Sequence, residues 1–244
     1  MTNLFPLFLG LGLAAAMLWA VTTKGRQAAG SASLASNVVL LEAVVASSTA
    51  GLLVARLFYV ILHWPLYAEA PWQGLWLWRG GLTGWAAVIG AALGLSGYAK
   101  LRRLDAWQLA DLLIGPGLLV SFGLWLGCLS EGCAYGRRLA APWGWPAPDL
   151  AGNVQPRWPT QAFGALSAAV MLIPLHRLLT TFRLRPGAVA GLGMAALALT
   201  NFGISLVRAD PAPYLGLVRV QTLAWGLLTL TALILTFIRW RPTQ

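Results

Sequence analysis

The stretch NVVLLEAVVASSTAGLLVARLFYVILH, residues 37–63, holds only two charged side chains, Glu42 and Arg56, in 27 positions. It exceeds the roughly 20 apolar residues that a helix needs to cross hydrocarbon. On either side of it lie six more such runs, at about 5–23, 80–99, 107–129, 160–179, 187–207 and 220–238. The seven runs predict an all-α, polytopic membrane protein of seven transmembrane helices. Most connections are short, and the long one, about 130–159, is too small and too rich in Pro, Gly and Trp to be a globular unit. Residues 1–244 are therefore read as a single transmembrane helical domain, with 130–159 as a small periplasmic-side element. The first run is expected to remain as a helix, because Lys24 and Arg26 follow it, the reverse of the charge order in a signal peptide.

Composition agrees: 58% of residues are hydrophobic and 10% charged, with mean hydropathy +0.70, against about 25% charged in soluble domains. A soluble fold is excluded. The net charge of +10 is spread between apolar runs rather than gathered in a block, which argues against nucleic acid. Thirteen Trp and 27 Gly suit a membrane chain, since Trp gathers at headgroups and Gly lets helices approach. Trp72, Trp76, Trp78, Trp143, Trp145 and Trp158 form such an aromatic belt. No Cys/His grouping has metal-site spacing, and no nucleotide, haem or iron–sulfur motif is present, so no metal and no cofactor are expected. There is no internal repeat of the transporter kind.

Basic residues set the orientation. Ten, Lys24, Arg26, Lys100, Arg102, Arg103, Arg177, Arg183, Arg185, Arg239 and Arg241, fall on one set of connections. Six, Arg79, Arg137, Arg138, Arg157, Arg208 and Arg219, fall on the other, and Arg56 lies inside a run. This predicts an outer N-terminus and a cytoplasmic C-terminus. The outer arginines need a separate reason.

Charges within hydrocarbon are functional candidates by default. Glu42 and Arg56 share a helical face but stand about 21 Å apart in height, so they cannot pair. Arg56 has two readings of equal standing: a guanidinium holding a lipid phosphate, or a snorkelling or interhelical contact. Asp111 reads as an interhelical partner and His63 as an interfacial structural residue.

The densest group of unusual residues is GLWLGCLSEGCAYGRR at 123–138, where Gly127, Gly132 and Gly136 oppose helix. Irregular backbone at membrane depth survives only in a cavity wall or buried in protein, so this stretch is a candidate site wall. Two more polar stretches are QPRWPTQ at 155–161, opening the fifth run, and Asn201 to Asp210, closing the sixth.

GGLTGW at 80–85, the stretch from Gly127 to Arg137, RWPTQ at 157–161, and Arg208-Ala209-Asp210 followed by Gln221 occur in an order and spacing that resembles the prolipoprotein diacylglyceryl transferase family, over nearly the whole chain. The resemblance implies an enzyme that moves the diacylglyceryl group of phosphatidylglycerol onto the cysteine thiol of a lipoprotein precursor. It makes membrane phospholipid and a lipoprotein precursor or membrane-complex partner the expected partners. Such chemistry needs a base, cations for the departing phosphate and a lateral opening. Arg56, Arg137, Arg157, Gln161 and Arg208 are the expected lipid or phosphate binders, with Gly80, Gly81, Gly127, Gly132 and Gly136 as motif glycines.

The pattern departs from the family where chemistry is expected. Trp85 stands where the family motif carries a histidine. Trp125, Cys128 and Cys133 stand for its arginine, asparagine and glutamate, and Asn201 for a further arginine. Trp85 and Trp125 would fill a headgroup cavity with apolar bulk. Cys128 and Cys133 lie about 140° apart on a straight helix and approach only if Gly132 breaks it. Three readings of the pair stand open: small-residue packing, a structural disulfide, or a reactive thiol pair. Glu131, beside them, is the one acid of this segment.

Three functions compete. The chain is expected to be a divergent member, its transferase activity weak or lost, that binds lipid or serves as a membrane subunit. Alternatives are an active transferase with a rearranged site using Glu131, Arg137, Arg157 and Arg208, and a thiol-dependent membrane enzyme using Cys128 and Cys133.

Overall fold

Seven α-helices stand at the seven apolar runs: α1 (Phe5–Thr22), α2 (Asn37–Leu62), α3 (Gly84–Arg102), α4 (Ala106–Glu131), α5 (Thr160–Thr181), α6 (Ala188–Val207) and α7 (Val220–Arg239). The structure, a computed structural model, describes residues 4–23, 36–77, 80–149, 151–182 and 184–240. Lys24, Arg26, Trp78, Arg79, Arg183 and Arg241, used above for charge and the aromatic belt, lie outside the described residues.

Six of the helices, all but α3, are long and apolar enough to cross a membrane. This is a multi-pass membrane protein. In α3, Ser96, Gly97, Tyr98 and Lys100 dilute the apolar run, so the seventh crossing does not follow from its length and composition. What α3 does have is close packing on α2. A Cβ at Gly90 would lie 2.6 Å from the Ala50 carbonyl oxygen, and one at Gly94 2.6 Å from the Ala50 side chain. Small residues one turn apart allow this approach, which replaces the hydrophobic drive that lipid cannot give.

The core runs through the bundle in three levels. At one end Ala16, Ala20, Leu40, Ala43, Ala99 and Leu109 join α1 to α4; midway Ile114, Leu118, Ala168, Leu175 and Val189 join α4, α5 and α6; at the other end Trp125, Ala134, Ala165 and Ile204 form an apolar plug. α4 takes part in all three. α1 lies along it so closely that a Cβ at Gly123 would sit 3.0 Å from Gly12 Cα.

Beyond the helices, the all-α expectation gains two small hairpins. β1 (Trp145–Pro148) pairs antiparallel with β2 (Val154–Arg157), and β3 (Tyr214–Leu215) with β4 (Val218–Arg219). Prolines 146, 148 and 156 deny helix to the first, since each lacks an N–H and fixes φ. Asp149 closes its turn, accepting from the Ala151 and Asn153 N–H groups at 3.0 and 2.9 Å. Two 3-10 turns, Trp64–Leu66 and Pro71–Leu75, follow α2.

The opposite end is latched by ion and dipole contacts. Asp111, buried on α4, accepts from Gly187 and Ala190 N–H, each at 2.7 Å, so its carboxylate caps the start of α6. Arg239 donates to the Pro186 carbonyl at 2.7 Å and lies 3.8 Å over the Trp107 ring.

Candidate functional site

The three polar stretches that stand out in sequence come together as one clasp at the plugged end. Residues 135–139 run extended between the other two. On one side the Arg137 N–H donates to Val207 O at 2.8 Å and the Ala209 N–H to Tyr135 O at 2.9 Å. On the other the Trp158 N–H donates to Arg137 O at 3.0 Å and the Leu139 N–H to Pro156 O at 2.9 Å. Only glycine serves at 136, because a Cβ there would strike the Trp158 carbonyl.

α4 enters this clasp through Gly132, whose φ of 69° ends the helix and brings the Cys133 N–H within 3.1 Å of Cys128 O. The two cysteines are joined as a disulfide, with Cα atoms 4.7 Å apart. Of the three readings of the pair, the structural disulfide is the one observed. A thiol-dependent enzyme needs a thiolate, and both sulfurs are bonded to each other, so that alternative finds no support. Thr160 and Gln161 at the start of α5 bind the same turn, donating to Ala134 O at 2.6 Å and Cys133 O at 2.9 Å.

Arg157 is the clasp's central cation and is only 4% exposed. Its guanidinium donates to Asp149 at 3.0 Å, Ala147 O at 3.3 Å and Gly136 O at 3.4 Å, and its carbon lies 4.8 Å over the Tyr135 ring. Asp149 lies in the hairpin turn between α4 and α5, outside the helices, and its carboxyl is held below the usual carboxylate range, chiefly by the Asn153 N–H and to a lesser degree by the Asn153 side chain, the Ala151 N–H and Arg157. Sequence reading missed Asp149. Its signal was the turn sequence PDLAGN at 148–153, with Asp and Asn placed to bond their own backbone.

Arg56 answers its two readings with a third. Its guanidinium donates to four backbone carbonyls, Gly74 at 2.7 Å, Gln73 at 3.0 Å, Gly81 at 3.1 Å and Gly80. It holds the connection between α2 and α3 against the end of α2, flanked by the Tyr59 and Tyr67 rings. Arg208 pairs bidentately with Asp210, at 2.8 and 2.5 Å. Glu131 accepts from the Leu4 N–H at 2.7 Å, placing a carboxylate at the positive end of α1. Arg137 is exposed, and among the described residues its contacts in the clasp are made by its backbone.

The positions of the expected chemistry are packed. Trp125 is 9% exposed and covers Gly164 so closely that a Cβ there would enter its ring. Asn201 donates to the Leu197 carbonyl of its own helix at 2.9 Å. Trp85 meets the Phe58 ring edge-on, with centroids 5.0 Å apart. His63 stacks on Tyr59, four residues earlier.

A profile of the family described as prolipoprotein diacylglyceryl transferase matches residues 4–238. The chain belongs to that family. It is similar to the phosphatidylglycerol–prolipoprotein diacylglyceryl transferase of Trichormus variabilis, with 31% identity over 202 residues, covering 77% of this chain and 71% of the relative. The protein of the same description in Symbiobacterium thermophilum is 30% identical over 217 residues, 80% of this chain and 75% of the relative. One from Clostridium perfringens, whose description adds the numeral 2, is 28% identical over 182 residues, 73% and 70%. In this family member, then, the clasp binds three motif stretches to each other while Glu131, Asp149 and Asp210 all serve as hydrogen-bond or ion-pair partners within the protein.

Proposed function

We propose that this protein is a divergent diacylglyceryl transferase family member of a bacterial plasma (inner) membrane, one that binds anionic phospholipid and serves as a membrane subunit, with transferase activity weak or lost. The carrying observation is the plug: Trp125, Ala134, Ala165 and Ile204 pack together beside a disulfide, and Asn201 is turned onto its own helix. Catalysis of the family type requires a base and cations aimed at the departing phosphate. Indole rings supply neither. Phosphatidylglycerol, the lipid in the names of the relatives, is the first lipid to consider, and a lipoprotein precursor or a membrane complex the partner.

The chain acts as one helical unit of seven crossings, with α3 carried across by its close fit to α2 and 130–159 as a small outer element. The basic residues place the N-terminus outside and the C-terminus in the cytoplasm. A second reading, an active enzyme with a rearranged site, is favoured by one observation: Arg137 presents its guanidinium at the surface of the clasp.

Complementation decides between the two. The chain is expressed to comparable membrane levels in bacteria depleted of their own diacylglyceryl transferase, and precursor lipidation is read by mass. The expected outcome is no lipidated precursor from well-inserted protein. Growth with lipidated precursor would establish the rearranged enzyme instead.

A further inference from the structure

Between α6 and α7 the chain carries no charged residue from Pro211 to Val218 and turns back on itself as the β3–β4 hairpin. At its tip Leu217 is 99% exposed and Leu215 68%, with Tyr214 and Val218 also exposed. Gly216, at φ 61°, makes the turn. Apolar side chains grouped on a surface in this way mark a contact.

The tip is held out by a latch. Successive side chains of a strand point to opposite faces, and cross-strand partners share a face. The pair Tyr214 with Arg219 and the pair Leu215 with Val218 therefore lie on opposite faces of the hairpin. The Arg219 face is fastened to the protein. Its guanidinium, 7% exposed, donates to the Asp210 carbonyl and the Tyr214 hydroxyl, while Arg208 grips the Asp210 carboxylate. The Val220 N–H closes the base of the hairpin on Pro213 O at 3.1 Å. Leu215 and Val218 are left on the outward face, with Leu217 at its end.

α7 continues this division. Thr222, Trp225 and Thr229 turn inward, and a Cβ on Gly84 at the start of α3 would lie 3.4 Å from the Trp225 ring. Leu223, Leu227, Leu230 and Ile234 are exposed, and their spacing of three and four residues puts them on one helical face. In a helix long and apolar enough to cross a membrane, that face meets acyl chains. Leu217 precedes the first residue of α7 by three positions, so the tip lies within roughly 11 Å of the helix start. That distance is of the order of the interfacial layer, which adds about 5–8 Å to each side of the hydrocarbon. Tyr214 is of the residue type that gathers in this layer.

We propose that the β3–β4 hairpin is a lipid-surface anchor, in which Leu215, Leu217 and Val218 insert between headgroups and acyl chains of the leaflet at this end of the bundle. The partner is the bilayer surface itself, met by apolarity alone. No headgroup is selected, so the anchor is separate from the lipid-binding reading above and from any catalysis. Through Arg219 and Asp210 it ties the Arg208 end of the clasp to the plane of the membrane.

The test uses the full-length protein in phosphatidylcholine vesicles. Leu217→Cys, Leu215→Cys and Leu227→Cys each carry a nitroxide spin label, while Cys128 and Cys133, bonded to each other, take none. All three positions are exposed, and unchanged melting temperatures certify that the variants fold. Power-saturation electron paramagnetic resonance reads collisions with oxygen, which concentrates in hydrocarbon, and with a water-soluble nickel chelate. The expected result at 217 and 215 is an oxygen rate severalfold above the nickel rate, at a depth shallower than that of position 227. A nickel rate above the oxygen rate at both tip positions would put the hairpin in water and overturn the proposal. Low rates with both probes would show the tip covered by protein, a second copy or a partner, and would overturn it equally. The complementation result reads lipidation chemistry, so the failure of either reading leaves the other standing.

Discussion

The clasp around Arg157 and the corner around Arg219 are both built on a buried arginine, yet they end in opposite states. Arg157 finds a carboxylate, two carbonyls and an aromatic face. Arg219 shares its carboxylate with another arginine and keeps a nitrogen without a hydrogen-bond partner. A buried cation is therefore no sign of a ligand until its acceptors have been counted. Where the protein supplies them all, the cation is architecture; where they fall short, the cation keeps donor capacity to spare.

The largest expected effect tests the closed half of this contrast. Arg157→Ala leaves Asp149 and the two carbonyls without their donor, and breaking a buried pair costs roughly 3–5 kcal/mol. Denaturant unfolding of the purified protein should show a loss of that order with no change in bound lipid. Lipid loss without destabilisation would move Arg157 to the ligand-binding side.

Next comes the disulfide. Cys128 and Cys133 close a loop of five residues' separation, and chain entropy for so small a loop gives about 2 kcal/mol. The double Cys→Ser variant should lose about that much, and thiol labelling of unreduced wild type should give no signal. Labelling of both cysteines without reductant would show the bond absent.

The smallest effect is on acidification. Asp149 has its carboxyl lowered in the folded protein, first by the Asn153 N–H. A group so lowered stabilises above its unfolded value, about 3.9, and that contribution is lost as pH falls through the folded value. Wild type should therefore lose stability between pH 5 and pH 3 by more than Asp149→Asn does. Parallel losses in the two would detach Asp149 from the clasp.

Much of this was legible in the sequence because membrane helices are written in length and apolarity, which need no knowledge of neighbours. Gly132 ending α4 was legible for the same reason, as a residue that tolerates left-handed backbone. Arg56 shows the limit. Its acceptors are backbone carbonyls of residues 73–81, and every residue type carries a carbonyl, so no side-chain pattern announces them. Nor does any pattern bring Gly84 beside Trp225, since that approach depends on the return of the seventh helix. The hairpin over 145–157 escaped because Pro and Trp read equally as loop, while its ion pair joins residues across the turn.

α1 rests not on its neighbour in sequence but chiefly on α4, with Gly12 against Gly123. After Thr22 ends α1, the chain must grow by some 100 residues before Gly123 is made. At about 5–20 residues per second of synthesis, α1 waits roughly 5–20 s for its partner, while α2 and α3 can pair as they emerge. Until then its glycine face meets lipid alone, so assembly in the cell has an obligatory pause, during which any other membrane helix with a small-residue face competes for the place that α4 will take.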